Sequence, residues 1–189
     1  MDYFRNVLLP RKKRLFGLDK SNCRVYPKHS CIMFSFNSPA IYDFYCYLGI
    51  PCGSKRDIAV PEFVMNGSNA LKAAFLRGLV DSDGSLSFKK KHKNVHYYPT
   101  IGFTMKSEKL WGGVSRLLSS LGFGFTAYQW RKRDKRNGKV YGCCGIDING
   151  EGNLVKWMRL VGFSNKKHAA KHSTWKAHRV YERSGPREI

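Results

Sequence analysis

Residues 69–88 read NALKAAFLRGLVDSDGSLSF, and their hydrophobic pattern changes period partway along. Ala74, Gly78 and Ser82 recur every fourth residue, which predicts a helix over residues 69–82 with small side chains along one stripe. Such a stripe lets a second helix approach backbone to backbone. The helix runs directly into Asp81-Ser82-Asp83-Gly84. Carboxylates at that end face the negative pole of the helix dipole, where a helix with no other duty would carry lysine or glycine. Two of them, followed by a glycine and a strand, point to a divalent cation, and hard oxygen ligands suit Mg2+. Beyond Asp83 the period becomes two. Leu86 and Phe88 point toward a core, whereas Ser85, Ser87, Lys89 and Lys91 point the other way. A serine-and-lysine sheet face suits contacts to base edges and phosphates in a DNA major groove.

The whole-chain charge agrees with that face. The 189 residues include 34 Lys plus Arg against 13 Asp plus Glu, a formal net charge of +21. An excess of this size repels itself unless a polyanion is the partner, and nucleic acid is the leading one. The length suits one domain or two small halves, and a hydrophobic share of 42% excludes a disordered chain. No apolar run is long enough for a transmembrane helix, and no basic amphipathic helix suggests a membrane surface. Met1-Asp2-Tyr3-Phe4-Arg5 lacks the layout of a secretory signal, so the expected location is intracellular, cytoplasmic or nucleoid-associated. Cysteines at 23, 31, 46, 52, 143 and 144 fit neither a zinc ribbon nor a disulfide framework and are read as reduced thiols.

An approximate internal repeat organises the chain. Residues 34–50 and 146–163 each show an alternating strand ending at Asn37 or Asn149, a turn, and an amphipathic helix that stops at Gly49 or Gly162. Ahead of the second copy come a helix over 108–121 and a hairpin turning at Asn137-Gly138, between Tyr128-Gln129-Trp130 and Val140-Tyr141. Ahead of the first, residues 1–16 read as helix and 23–36 as paired strands. Adding the helix at 69–82 and a strand pair over 85–105, the later part reads α-β-β-α-β-β-α. The opening part lacks the first helix and strand pair of that order. Pro51–Glu62 reads as a linker or structured turn between the two.

The string Leu76-Arg77-Gly78-Leu79-Val80-Asp81-Ser82-Asp83-Gly84 resembles the LAGLIDADG motif of the dodecapeptide-type homing endonucleases. Similar surroundings extend the resemblance over nearly the whole chain: Leu48-Gly49-Ile50-Pro51 and Gly53-Ser54-Lys55, Pro61-Glu62-Phe63, and Gly162-Phe163-Ser164-Asn165-Lys166-Lys167-His168. The resemblance implies an α+β fold of αββαββα halves, with curved antiparallel sheets forming a saddle over double-stranded DNA and motif helices packed together through Ala74, Gly78 and Ser82. It implies residues 1–62 as a partial first half plus linker, without a motif helix, and residues 63–189 as a complete second half. It also implies site-specific, Mg2+-dependent hydrolysis of DNA phosphodiesters, with Asp83 as catalytic metal ligand and Asp81 and Gly84 shaping the helix end. Lys55, Lys106 and Lys167, or Lys166 in place of the last, correspond to basic residues around the site. Met105 departs from the glutamine the family often carries beside Lys106, which removes a polar water-positioning group there.

Two basic arms, Lys89–Lys93 and Arg131-Lys132-Arg133-Asp134-Lys135-Arg136, extend the expected footprint along the DNA backbone. Trp130 and Tyr128 beside the second arm offer rings for stacking. His168 and His172 stand four apart but lack the glutamate of a zinc-protease helix, so a surface or backbone-contact role is expected. One motif is present where a pseudo-symmetric monomer needs two. Truncation or decay of the gene, a partner chain, or a homodimer through the stripe would each account for it. The alternative function is a non-cleaving nucleic-acid binder of the same fold, such as an intron maturase or transcription regulator, or an inactive remnant.

Overall fold

The structure, a computed structural model, describes residues 3–17, 22–26, 31–35, 38–50, 57–133 and 138–181. Two compact units divide the chain, Met1–Cys52 and Gly53–Ile189. In the first, a wide π-type turn at Phe4–Leu8 continues into α1 (Leu9–Phe16). Strands β1 (Asn22–Tyr26) and β2 (Cys31–Ser35) pair antiparallel with Asn22 opposite Ser35. Helix α2 (Pro39–Tyr47) follows, capped by the Ser38 hydroxyl, which accepts from the Ile41 amide. Phe16 meets Tyr45 edge to face at 5.9 Å. Beside them a cleft of about 430 Å³, lined by Phe4, Leu8, Leu15, Phe16 and Tyr45, takes in the stem of Lys12.

The second unit contains α3 (Glu62–Met65), α4 (Asn69–Asp83), β3 (Ser85–Lys89), β4 (Tyr98–Met105), α5 (Glu108–Ser120), β5 (Thr126–Arg133), β6 (Val140–Asn149), α6 (Glu151–Leu160) and α7 (Lys166–His178). From α4 to α6 this is the α-β-β-α-β-β-α order. Its four strands form one antiparallel sheet in the order β3-β4-β6-β5. Both hairpins are therefore sequence-adjacent pairs, and the pairing of β4 with β6 joins them. Ser68 and Ser107 start α4 and α5 by accepting from the Leu71 and Leu110 amides, caps worth about 1 kcal/mol each.

One sheet face carries the core. Leu86, Phe88, Ile101, Phe103, Ile146 and Ile148 are buried there against Leu76 and Val80 of α4, Leu117 of α5 and Trp157 of α6. Trp157 is wholly enclosed, with Phe103, Phe123 and Phe163 around it, and its indole N–H donates to the Gly162 carbonyl at 3.1 Å. Helix α7 covers the β3 edge: Trp175 stacks on Phe88 at 5.7 Å and donates to the Tyr97 carbonyl.

Part of the expected linker belongs to this second unit. Val60 is buried in its core, and Ser107 Oγ donates to the Ile58 carbonyl. An apolar Ile-Ala-Val-Pro run next to a helix is drawn into the core. The strand pair expected over 85–105 is β3 and β4, joined by a loop at residues 90–97.

Candidate functional site

The two motif carboxylates have opposite fates. Asp81 is buried at 3% exposure. Its Oδ2 accepts the Ser164 amide at 2.8 Å and its Oδ1 the Asn165 amide at 3.1 Å, while Asn165 Nδ2 donates to the Asp81 carbonyl at 2.9 Å. Asn165 is the N-cap of α7, so the negative end of α4 meets the positive end of α7 with the Asp81 charge between them. That contact removes the electrostatic objection to a carboxylate at this position. Asp83, two residues on, is exposed. Among the described residues its carboxylate has no hydrogen bond or ion pair.

Gly84 makes the close turn from α4 into β3, since a Cβ there would stand 2.7 Å from Val80 Cα. Ala74, Gly78 and Ser82 all lie exposed on α4, and a Cβ at Gly78 would meet nothing within 4 Å. The Ser82 hydroxyl folds back onto the Gly78 carbonyl at 2.9 Å, which keeps the stripe smooth. A flat strip of backbone, ending at a carboxylate without a partner among the described residues, is thus presented on one side of the second unit.

The expected basic residues distribute unevenly. Lys106 directly follows β4, exposed, with its ammonium 4.4 Å from the centre of the Tyr141 ring. Lys166 and Lys167 begin α7, both exposed, and the Lys167 amide donates to the Asn165 side chain. Asp81 therefore ties the pair of lysines to the end of α4 through Asn165. Lys55, Lys135 and Arg136 lie outside the described residues, as does Asn137 of the expected turn.

The sheet face away from the core is polar. Register sets Ser85, Ser87 and Lys89 of β3 opposite Gly102, Thr100 and Tyr98 of β4. Thr100, Gly102 and Thr104 in turn face Asn149, Asp147 and Gly145 of β6, and Thr126 and Tyr128 of β5 face Asp147 and Gly145. Thr100 Oγ1 donates to Asn149 Oδ1 at 2.8 Å, and Lys89 Nζ stands 3.0 Å from Asp147 Oδ2. Tyr128 and Trp130 stack at 5.5 Å. Burial raises the Tyr128 phenol pKa, with the neighbouring Asp147 charge adding to the rise.

Two expectations need correction. Lys91 does not continue the β3 alternation. The strand stops at Lys89, and Lys91 sits in the following loop with its ammonium 4.4 Å from the Tyr98 ring centre. A run of lysine and histidine has no apolar alternation to hold it in the sheet. In the second basic arm, register sets Lys132 on the polar side with Tyr141, and Arg131 and Arg133 on the other. His168 is not at the surface. It is 5% exposed, packs edge to face on Phe163, and points Nδ1 at Asp81 Oδ1 from 3.8 Å. His172 is half-buried, and burial followed by the nearby Lys176 charge lowers its pKa.

Sequence reasoning left out Asp147, Asn149 and Thr100. The flanking Ile146 and Ile148 carried the signal, because core isoleucines at alternate positions put Asp147 and Asn149 on the opposite face.

This αββαββα unit, with its exposed helix stripe and paired acidic residues, has the architecture of a homing-endonuclease half. Residues 70–162 match the family model for a LAGLIDADG-like domain. This stretch of the second unit is therefore similar to a LAGLIDADG-like domain. A comparison with curated proteins found no match. Among the described residues, no helix is long and apolar enough to cross a membrane.

Proposed function

We propose that the chain is a site-specific, Mg2+-dependent endonuclease acting on double-stranded DNA. One contrast carries this reading. Of two carboxylates two residues apart, Asp81 is consumed by the helix junction and Asp83 is held at the surface with no partner among the described residues. A structural helix end needs only the first.

The donor set fits an open magnesium site. Among the described residues, no three His, Cys, Asp or Glu side chains gather into a cage. Mg2+ keeps several waters and takes one or two carboxylates plus substrate phosphate oxygens, and Asp83 offers one such carboxylate. A second motif helix, laid along Ala74, Gly78 and Ser82, brings a second carboxylate beside it. Mg2+ held there would supply Lewis-acid activation of water and of the phosphate oxygens. Asp83, at the end of a rigid helix, would be one of its carboxylate ligands. Lys106 and Lys167, both exposed, are suited to neutralising phosphate charge, and the family resemblance adds Lys55 to that role. The polar sheet face supplies base contacts in the major groove, and the surplus charge of +21 supplies salt-dependent affinity.

The test is cleavage of a randomised plasmid library with Mg2+, comparing the natural chain with Asp83→Asn. Cutting by the first and none by the second supports the reading. Salt-sensitive binding by both proteins without cutting by either would replace it with a non-cleaving nucleic-acid binder.

A further inference from the structure

On the polar face of the sheet, Asp147 is an acidic residue on a surface otherwise suited to a polyanion. Its carboxylate is one-fifth exposed, 22%, and lies between two strands. Gly102, directly opposite on β4, makes room for it, since a Cβ there would stand 3.2 Å from Asp147 Oδ1. Asp147 therefore leans across β4 toward Lys89 of β3, and their charged atoms meet at 3.0 Å. Tyr128 donates its hydroxyl to the other carboxylate oxygen at 3.5 Å. A donor and an acceptor are thus fixed side by side in the middle of the sheet, fastened from both flanking strands.

We infer that Lys89 and Asp147 form a single base-pair reader, selecting G·C with guanine on the Lys89 side. This rests on the proposed DNA-binding function. In the major groove, guanine presents O6 and N7 as acceptors, and cytosine presents the N4 amino group as donor. Guanine O6 and cytosine N4 are themselves hydrogen-bonded, about 2.9 Å apart, which matches the spacing of Lys89 Nζ and Asp147 Oδ2. Lys89 can donate to O6 and N7 while Asp147 accepts from N4.

Every other pair is penalised. Reversing the pair sets the ammonium against an amino donor and the carboxylate against two acceptors. With thymine on the Lys89 side, O4 and the adenine N6 amino group still match, but a methyl group crowds the ammonium and adenine N7 repels the carboxylate. Adenine on that side puts the ammonium against a donor and the carboxylate against thymine O4. A well-matched contact of this kind discriminates by about tenfold or more. The acidic residue costs general attraction to phosphates and supplies selectivity.

Binding-site selection from a fully randomised duplex pool tests this, using the complete chain and its Asp147→Asn, Asp147→Ala and Lys89→Met variants, each checked by circular dichroism. The natural chain should enrich G·C at one position per bound sheet. Lys89→Met should abolish that preference, Asp147→Ala should weaken it about tenfold, and Asp147→Asn should move it toward adenine, which an amide recognises. Preferences at other positions should persist in all four. An unchanged consensus in the variants would overturn the inference and leave the DNA-binding function standing. So would a uniform loss of affinity with a lowered melting temperature, which marks a merely structural ion pair. If the natural chain enriched no sequence, sequence-specific recognition and this inference would fail together.

Discussion

Replacing Asp81 and Asp83 separately should have opposite effects on stability. Asp81→Ala removes an ionised acceptor from two backbone amides, at 2.8 and 3.1 Å, in a site only 3% exposed. Hydrogen bonds to charged groups contribute about 1.5–3 kcal/mol each, and orphaning buried donors adds desolvation cost. The loss should be about 3 kcal/mol or more. For a unit of this size each kcal/mol moves Tm by roughly 3–5 °C, so a fall of roughly 10 °C or more is expected. Asp81→Asn keeps one acceptor and the volume and should lose about half as much. Asp83→Ala removes an exposed negative charge from the unfavourable end of α4 and should be neutral, or stabilising by about 0.3–1 kcal/mol. Thermal unfolding followed by circular dichroism, in the absence of divalent metal, separates the three. Equal losses at the two positions, or an Asp81→Ala protein within about 0.5 kcal/mol of the natural one, a surface-like effect, would refute the division of labour between the carboxylates.

Adjacent glycines in α5 provide a second test. A Cβ at Gly113 would stand 2.6 Å from Val60 Cγ2, whereas one at Gly112 meets nothing within 4 Å. Urea titration should show Gly113→Ala losing about 1–3 kcal/mol through overpacking and Gly112→Ala gaining up to about 1 kcal/mol from helix propensity. On α4, Gly78→Ala should likewise stabilise the separate chain by about 0.5–1 kcal/mol. Gly78→Leu, which blocks close helix approach, should reduce any self-association seen by sedimentation equilibrium. In the first unit, burial lowers the Lys12 pKa to about 8. Near pH 8 about half of that amine is neutral, against well under about 1% for an ordinary lysine. Peptide mapping after brief acylation at that pH should find Lys12 the first of the lysines to be modified, with the preference fading as pH rises through about 10. The sign for stability is fixed as well: the unfolded chain holds this proton more tightly than the folded one. Lys12 therefore opposes folding below pH 8, and the penalty disappears as pH rises from about 8 toward 10.5.

Local signals were legible wherever one period dominated. The helix predicted over 69–82 is α4, Asn69–Asp83, and the inward-facing Leu86 and Phe88 are buried. Gly49, Gly122 and Gly162 all adopt the left-handed conformation after their helices, as chain punctuation indicated. The pairing of β4 with β6 and the docking of α7 on the α4 end are contacts between residues far apart in sequence, and no local pattern encodes them. His168 was misplaced for that reason. Within α7, a lysine- and histidine-rich helix of low amphipathicity, nothing distinguishes the one histidine that reaches Phe163 and Asp81. Asp83 was legible because its position contradicted helix electrostatics, whereas the Lys89–Asp147 pair needed the strand order before its members became neighbours.

No side chain of strand β5 is buried; only Trp130 is partly covered, and the strand is fastened through its ladder with β6. Apart from Tyr128, which lies against Gly145 and reaches Asp147, its positions are largely decoupled from the core packing. Mutations can accumulate along this margin of the sheet with little thermodynamic consequence. The molecule in effect separates a buried chassis, built around Trp157 and the α4–α7 junction, from a rewritable edge where new preferences can evolve without a stability toll.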